Sequence, residues 1–211
     1  MTPILYSFRR CPYAMRARLA LLSSNTTVAL REVVLRDKPA QFLDVSPTAT
    51  VPCLVTQDGV IGESLDIMKW ALDQNDPENL LNIPDAGWAL IDETDGPFKF
   101  ALDRTKYAAR FPEQDTQKQR AVAEAFLTRL DQKIDRWLFE RLSIADLAIL
   151  PFVRQFAFID KNWFDEQPWP NLHGWLDRFL CSDRFEHIMP KYGQWHEGDD
   201  EVLFPNTQEK G

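Results

Sequence analysis

At 211 residues and 24.5 kDa the chain is long enough to bury a sizeable core in one or two domains, and 45% hydrophobic with 27% charged residues is the balance of a globular protein. A net charge of −8, from 32 acidic against 24 basic residues, argues against surfaces for nucleic acid or anionic lipid. No apolar run approaches the ~18 residues of a membrane span, and Cys11, Cys53 and Cys181, odd in number and far apart, fit reduced thiols better than a disulfide framework. Met1-Thr2-Pro3-Ile4 lacks the basic and apolar regions of a signal peptide, so the expected location is cytoplasmic.

Ile4-Leu5-Tyr6-Ser7-Phe8 reads as a buried strand. It leads through Arg10-Cys11-Pro12-Tyr13-Ala14-Met15-Arg16 into a helix with Met15, Leu19 and Leu22 on one face. Proline suits the first helical position, which places Cys11 at the strand-to-helix junction. A thiol there meets unpaired backbone N–H groups and the positive end of the helix dipole, both of which favour the thiolate. In such settings thiol pKa values fall from about 8.5 to roughly 3.5–7.5, so a reactive cysteine is expected.

Val28 to Val34 reads as a second strand, and Lys38-Pro39-Ala40-Gln41-Phe42-Leu43 as a short helix opened by proline. Val51-Pro52-Cys53-Leu54-Val55, the Asp58-Gly59 turn and Val60-Ile61 form a strand hairpin. Ser64 suits the N-cap of a helix with Ile67, Met68, Ala71 and Leu72 on its apolar face. The order βαβ, then αββα, is thioredoxin-like. Cys53 either joins the core of its strand or offers a second thiol to the site; the buried strand favours the core.

The expected organisation is a thioredoxin-like domain over residues 1–76, a linker over 77–85 and an all-helical domain over 86–211. Trp88 to Arg110 is one helix-like segment that Gly96-Pro97 should kink or break. Gln117 to Phe139 is a second long helix. Ser143-Ile144-Ala145-Asp146 is a capping box that opens a buried helix. Phe98, Phe100, Tyr107, Phe111, Phe156, Phe158, Trp163, Trp169 and Trp175 belong by default to helical packing. His173, His187 and His196 lack metal-ligand spacing, so no metal is expected. Glu197 to Gly211 reads as a polar tail that packs little.

The chain resembles glutathione transferases, and among them the cysteine-type, omega-like branch. The matching pieces are Cys11-Pro12-Tyr13-Ala14 with Arg16, Asp37-Lys38-Pro39, Val51-Pro52, Glu63-Ser64 and Ser143 to Asp146. The resemblance implies that Phe8, Lys38, Val51, Pro52, Glu63 and Ser64 hold glutathione as co-substrate, with Pro52 in the cis form. Ser64 would take the γ-glutamyl carboxylate, Glu63 would place the amino group, Val51 would pair with the cysteinyl backbone and Lys38 would meet the glycine carboxylate. Tyr13, Phe100, Tyr107 and Phe111 would border a small hydrophobic or disulfide acceptor, Ser143 and Asp146 would be structural, and the protein would be a homodimer.

Ala14 occupies the place of a resolving cysteine, which leaves monothiol chemistry. Glutathione-dependent thiol transfer through Cys11 is therefore expected to lead, with dehydroascorbate reduction as a further activity. Electrophile conjugation stays open, with Tyr6 or Ser7 as possible hydroxyls, and so does a non-catalytic binding or regulatory module.

Overall fold

In a computed structural model, which describes residues 2–46 and 48–206, the chain forms two compact units. One holds the described residues up to Leu81 together with those from Ser182 onward, and the other is Asn82–Cys181.

The first unit runs β1 (Ile4–Ser7), α1 (Pro12–Ser23), β2 (Val28–Glu32), α2 (Ala40–Val45), β3 (Cys53–Thr56), β4 (Gly59–Ile61) and α3 (Ser64–Gln74). Its mixed sheet has the thioredoxin-like order β4-β3-β1-β2, with β1 parallel to β2 and antiparallel to β3. Side chains alternate across a sheet, and the register sets Leu5 beside Leu30 and Leu54 on one face and Tyr6 beside Cys53 on the other. Tyr6, Val33, Phe42, Val51 and Cys53 make one core cluster, against which Phe8 and Cys11 pack. On Leu5's face Ser7 meets Arg18 of α1, and α1 packs against α3. The hairpin turn closes at Gly59, whose φ of 136° is open to glycine at little steric cost.

Two expectations change here. α1 is buried on nearly every side rather than along one stripe: Arg16 and Arg18 are inside it, while Leu22 is only half-buried. The C-terminal segment is neither all-helical nor loose. After α10 (Asp183–Ile188) it lays Trp195 against Tyr6 and Arg31, donates the Trp195 N–H to the Glu32 carbonyl at 2.9 Å, and adds β5 (Val202–Phe204) antiparallel to β2. Phe204 is 1% exposed, and its burial is the physical reason the segment stays on the sheet. Thr207 to Gly211 lie outside the described residues.

The second unit is helical: α4 (Asp85–Glu93), α5 (Lys99–Lys106), α6 (Thr116–Lys133), α7 (Ile144–Ala157), α8 (Lys161–Asp165) and α9 (Pro170–Leu180). At Gly96-Pro97 the helix is neither broken nor sharply ended. Thr94–Phe98 form a π turn between α4 and α5, whose wider spacing absorbs the N–H that Pro97 lacks. α6 stops at Lys133 rather than Phe139. The chain beyond it instead gives the Leu138 N–H to the Asp146 carboxylate at 3.0 Å. Gly87 is crowded, since a Cβ there would stand 2.8 Å from the end of the Ile83 side chain and 3.0 Å from the Phe139 ring, so a larger residue would make them shift. Among the described residues, no helix is long and apolar enough to cross a membrane.

Candidate functional site

Cys11 is the N-cap residue of α1, with Pro12 at the first helical position. Its extended backbone (φ −73°, ψ 124°) turns the chain from β1 into the helix, and its N–H is held by the Phe8 carbonyl at 3.0 Å. The sulfur is half-buried, belongs to no disulfide and lies 3.7 Å from the Val51 carbonyl oxygen, to which its S–H points. Cys11 thus joins the two chain segments that the sequence singled out.

The second of these segments carries a cis Val51–Pro52 bond, as the resemblance implies. A groove of about 260 Å³ begins here and is lined by Tyr13, Thr50, Val51, Pro52, Gly62, Glu63 and Ser64. Ser64 is not the helix cap: Glu63 takes that position without a side-chain capping bond, and Ser64 is the first residue of α3. The Ser64 oxygen accepts from Arg16 Nε at 2.9 Å, with both side chains 2% exposed. That bond fixes the hydroxyl at the groove's end, next to first-turn N–H groups that a helix leaves without intrahelical partners. Arg16 also lies against the Tyr13 ring, 5.2 Å from its centroid.

Around Cys11 the charge is opposite to that of the whole chain. Arg9, Arg10, Arg16 and Arg18 crowd ten residues of a chain whose net charge is −8. Burial pulls the Arg18 guanidinium down to about 10, while Glu32, then Cys11 and Tyr192, act to keep it charged.

The expected residues are brought together unequally. Cys11, Tyr13, Val51, Pro52, Glu63 and Ser64 are neighbours through the groove and the Cys11–Val51 contact. Phe8 is at the start of the Cys11 turn and packs on the core cluster. Lys38 is half-buried in the extended link before α2, just past the Val34–Asp37 bridge.

Phe100, Tyr107 and Phe111 belong to the other unit, and their faces are not bare apolar walls. The Arg104 guanidinium stands 3.1 Å from the Phe100 centroid and 4.6 Å from that of Phe111, and Arg110 stands 4.6 Å from that of Tyr107.

Tyr6 and Ser7 are inside the fold. The Tyr6 hydroxyl accepts from Arg31 and the Ser7 hydroxyl accepts from Arg18. Cys53 is fully buried, and burial pushes its thiol up, which places it in the core and removes it as a second thiol for the groove. Cys181 is exposed at the end of α9. Ser143 and Asp146 form their capping box in the other unit. Among the described residues, no group of three or more His, Cys, Asp or Glu side chains could hold a metal ion.

Sequence reasoning quoted Arg16 as part of the Cys11 motif but gave it no role, and it missed Arg18. Two guanidinium groups at Arg16 and Arg18, inside the otherwise apolar run Ala14 to Leu22, were the available signal, because a buried charge needs a partner.

Residues 5–80 match the model for the glutathione S-transferase N-terminal domain, and residues 101–178 that for the glutathione S-transferase C-terminal domain. Glutathione S-transferase L3 of Arabidopsis thaliana is 26% identical over 199 residues, which cover 87% of this chain and 80% of that protein. Among solved structures, glutathione transferase Omega 3C from Trametes versicolor superposes with a TM-score of 0.76 at 18% identity, covering 92% of this chain and 91% of that one. A glutathione transferase family member from Pseudomonas fluorescens, solved with two glutathione bound, gives a TM-score of 0.74 at 19% identity over 89% and 92% of the two chains.

Proposed function

The chain belongs to the glutathione S-transferase superfamily, and we propose that within it the protein is a glutathione-dependent thiol transferase whose nucleophile is Cys11. One observation carries the reading: a half-buried sulfur at the start of a helix, touching the segment from which a groove leads to the Ser64 hydroxyl.

Glutathione lies along that groove in this account. Its γ-glutamyl carboxylate takes the Ser64 hydroxyl hydrogen and the first N–H groups of α3, where the helix dipole favours an anion. Glu63 receives the amino group. The Val51 backbone edge pairs with the cysteinyl part next to cis-Pro52, with Phe8 at the Cys11 turn, and Lys38 meets the glycine carboxylate. The solved relative with two glutathione bound supports the same co-substrate here.

The cycle follows from thiol–disulfide exchange. The Cys11 thiolate attacks the glutathione sulfur of a mixed disulfide; the sulfur–sulfur bond breaks and the partner leaves as a thiolate that takes a proton. A second glutathione thiolate then attacks the glutathione sulfur on Cys11, which releases oxidised glutathione and the Cys11 thiolate. Dehydroascorbate is a further acceptor of the same electron pair. Conjugation through a hydroxyl is disfavoured, because Tyr6 and Ser7 are buried and bonded. We further propose a homodimer, which light scattering would show as twice the 24.5 kDa chain mass.

The test compares glutathione-dependent reduction of hydroxyethyl disulfide with conjugation of chlorodinitrobenzene in the wild type and in Cys11→Ser. Disulfide reduction falls to background in the variant, while conjugation is kept or raised. Undiminished disulfide reduction in Cys11→Ser rules the reading out.

A further inference from the structure

Two charged side chains lie inside the first unit at places that the groove does not use. Arg18, on α1 seven residues past Cys11, is 1% exposed, and Glu32, the last residue of β2, is 8% exposed. An ion taken out of water is tolerated only where partners hold it. What these two hold is the turn that carries Cys11.

Arg18 Nη1 donates to the Ser7 hydroxyl oxygen, and Nη2 donates to the Arg9 carbonyl at 2.7 Å. Glu32 Oε1 accepts the Arg9 N–H at 2.7 Å. Between those anchors the Phe8 carbonyl takes the Cys11 N–H. Residues 7–11 are therefore gripped from α1 on one side and from β2 on the other. The grip does not use every polar atom: Arg18 Nε and Glu32 Oε2 are buried and meet no hydrogen-bond partner. Each side chain thus keeps one polar atom free of hydrogen bonds while its other atoms hold the turn.

We propose that Arg18 and Glu32 are a buried positioning pair for Cys11, in which Arg18 favours the thiolate and Glu32 restrains that effect. A guanidinium near a thiol stabilises its ionised form, and a carboxylate beside the guanidinium offsets part of that field. The titratable groups that face Arg18 are Glu32 from β2, Cys11 at the helix start, Arg9 in the turn and Tyr192 from the C-terminal segment. Burial pushes both Glu32 and Tyr192 up, so neither gives up its proton as readily as it would in water. The inference rests on Cys11 being the nucleophile, but it concerns ionisation and can be read without glutathione.

The test is the rate of Cys11 alkylation by iodoacetamide, followed by peptide mass from pH 4 to 10 on the full chain and on Arg18→Met, Arg18→Lys and Glu32→Gln. Arg18→Met moves the alkylation midpoint to higher pH and slows the reaction below it by about tenfold. Arg18→Lys, which keeps the charge but not the fork, restores much of the midpoint. Glu32→Gln moves it the opposite way, to lower pH. These opposite signs separate an electrostatic role from loss of packing, which would shift both variants alike. If Arg18→Met does not fold, Glu32→Gln decides alone: a lower midpoint supports the pair, and an unchanged or higher one overturns it. If the midpoint moves as expected while oxidised glutathione leaves no adduct, the thiol-transferase reading fails and this inference stands.

Discussion

Cys11 and Ser64 lie in different chain segments and are prepared in the same way, each by an arginine of α1. Arg16 holds the Ser64 hydroxyl and Arg18 holds the turn before Cys11. Replacing Ser64 with Ala removes a hydrogen bond to a charged ligand group, worth about 1.5–3 kcal/mol, so glutathione binding measured by calorimetry should weaken by tenfold or more. Unchanged affinity would remove Ser64 from the site. Cys53 gives the complementary case: because its side chain is fully buried, Cys53→Ala should lower stability by about 1 kcal/mol and leave capture of glutathione by Cys11 untouched. Loss of capture in that variant would return Cys53 to the chemistry. Cys11 was legible in the sequence because its surroundings are local: a strand, a proline and a helix in one stretch. The shared hold of Arg18 and Glu32 on residues 7–9 was not, because it depends on the parallel pairing of β1 with β2, which no short-range pattern encodes.

Helix ends show the same division between local and distant causes. The box at Ser143 and Asp146 was legible from its four residues, but its full load was not. Asp146, 0% exposed, also accepts from the Leu138 N–H and from Trp175 Nε1, each at 3.0 Å. Asp131 likewise caps the start of α9 from α6, accepting the N–H groups of Asn171 and Leu172 at 2.9 Å, and nothing near either segment announces it. Burial pushes the Asp146 carboxyl up, although its four donors pull the other way. The folded chain therefore keeps this proton to higher pH than the unfolded chain does. The stability that Asp146 contributes is full below about pH 4, the ordinary carboxylate value, and is lost as pH rises through the folded value. Urea unfolding of the wild type and Asp146→Asn should show their stability difference moving against the wild type between pH 4 and neutrality, and movement in its favour would contradict the account. The π turn at Thr94–Phe98 was half legible: Pro97 announces a disturbance, but whether a helix kinks or widens depends on packing on both sides of it.

Over the whole chain, the thioredoxin-like half and the helical half were both legible from the order of periodic segments, whereas the return of the C-terminus was not. Glu197 to Glu201 is polar and acidic, and Val202-Leu203-Phe204 is too short for its strand pattern to stand out. Yet Phe204 is 1% exposed and Trp195 packs on Arg31 and Tyr6. Deleting residues 191–211 should cost about 3 kcal/mol or more of burial, a fall in melting temperature of roughly 6–12 °C at this length; an unchanged melting curve would show that the segment adds nothing to the sheet. The central claim, that the sulfur at the head of α1 exchanges with glutathione bound beside it, is tested most directly by mass. After mixing with oxidised glutathione, the wild type should gain one glutathionyl group, found on the Cys11 peptide and removed by reduced glutathione, while Cys11→Ser gains none. No gain in mass, or a gain on Cys181 alone, would contradict it.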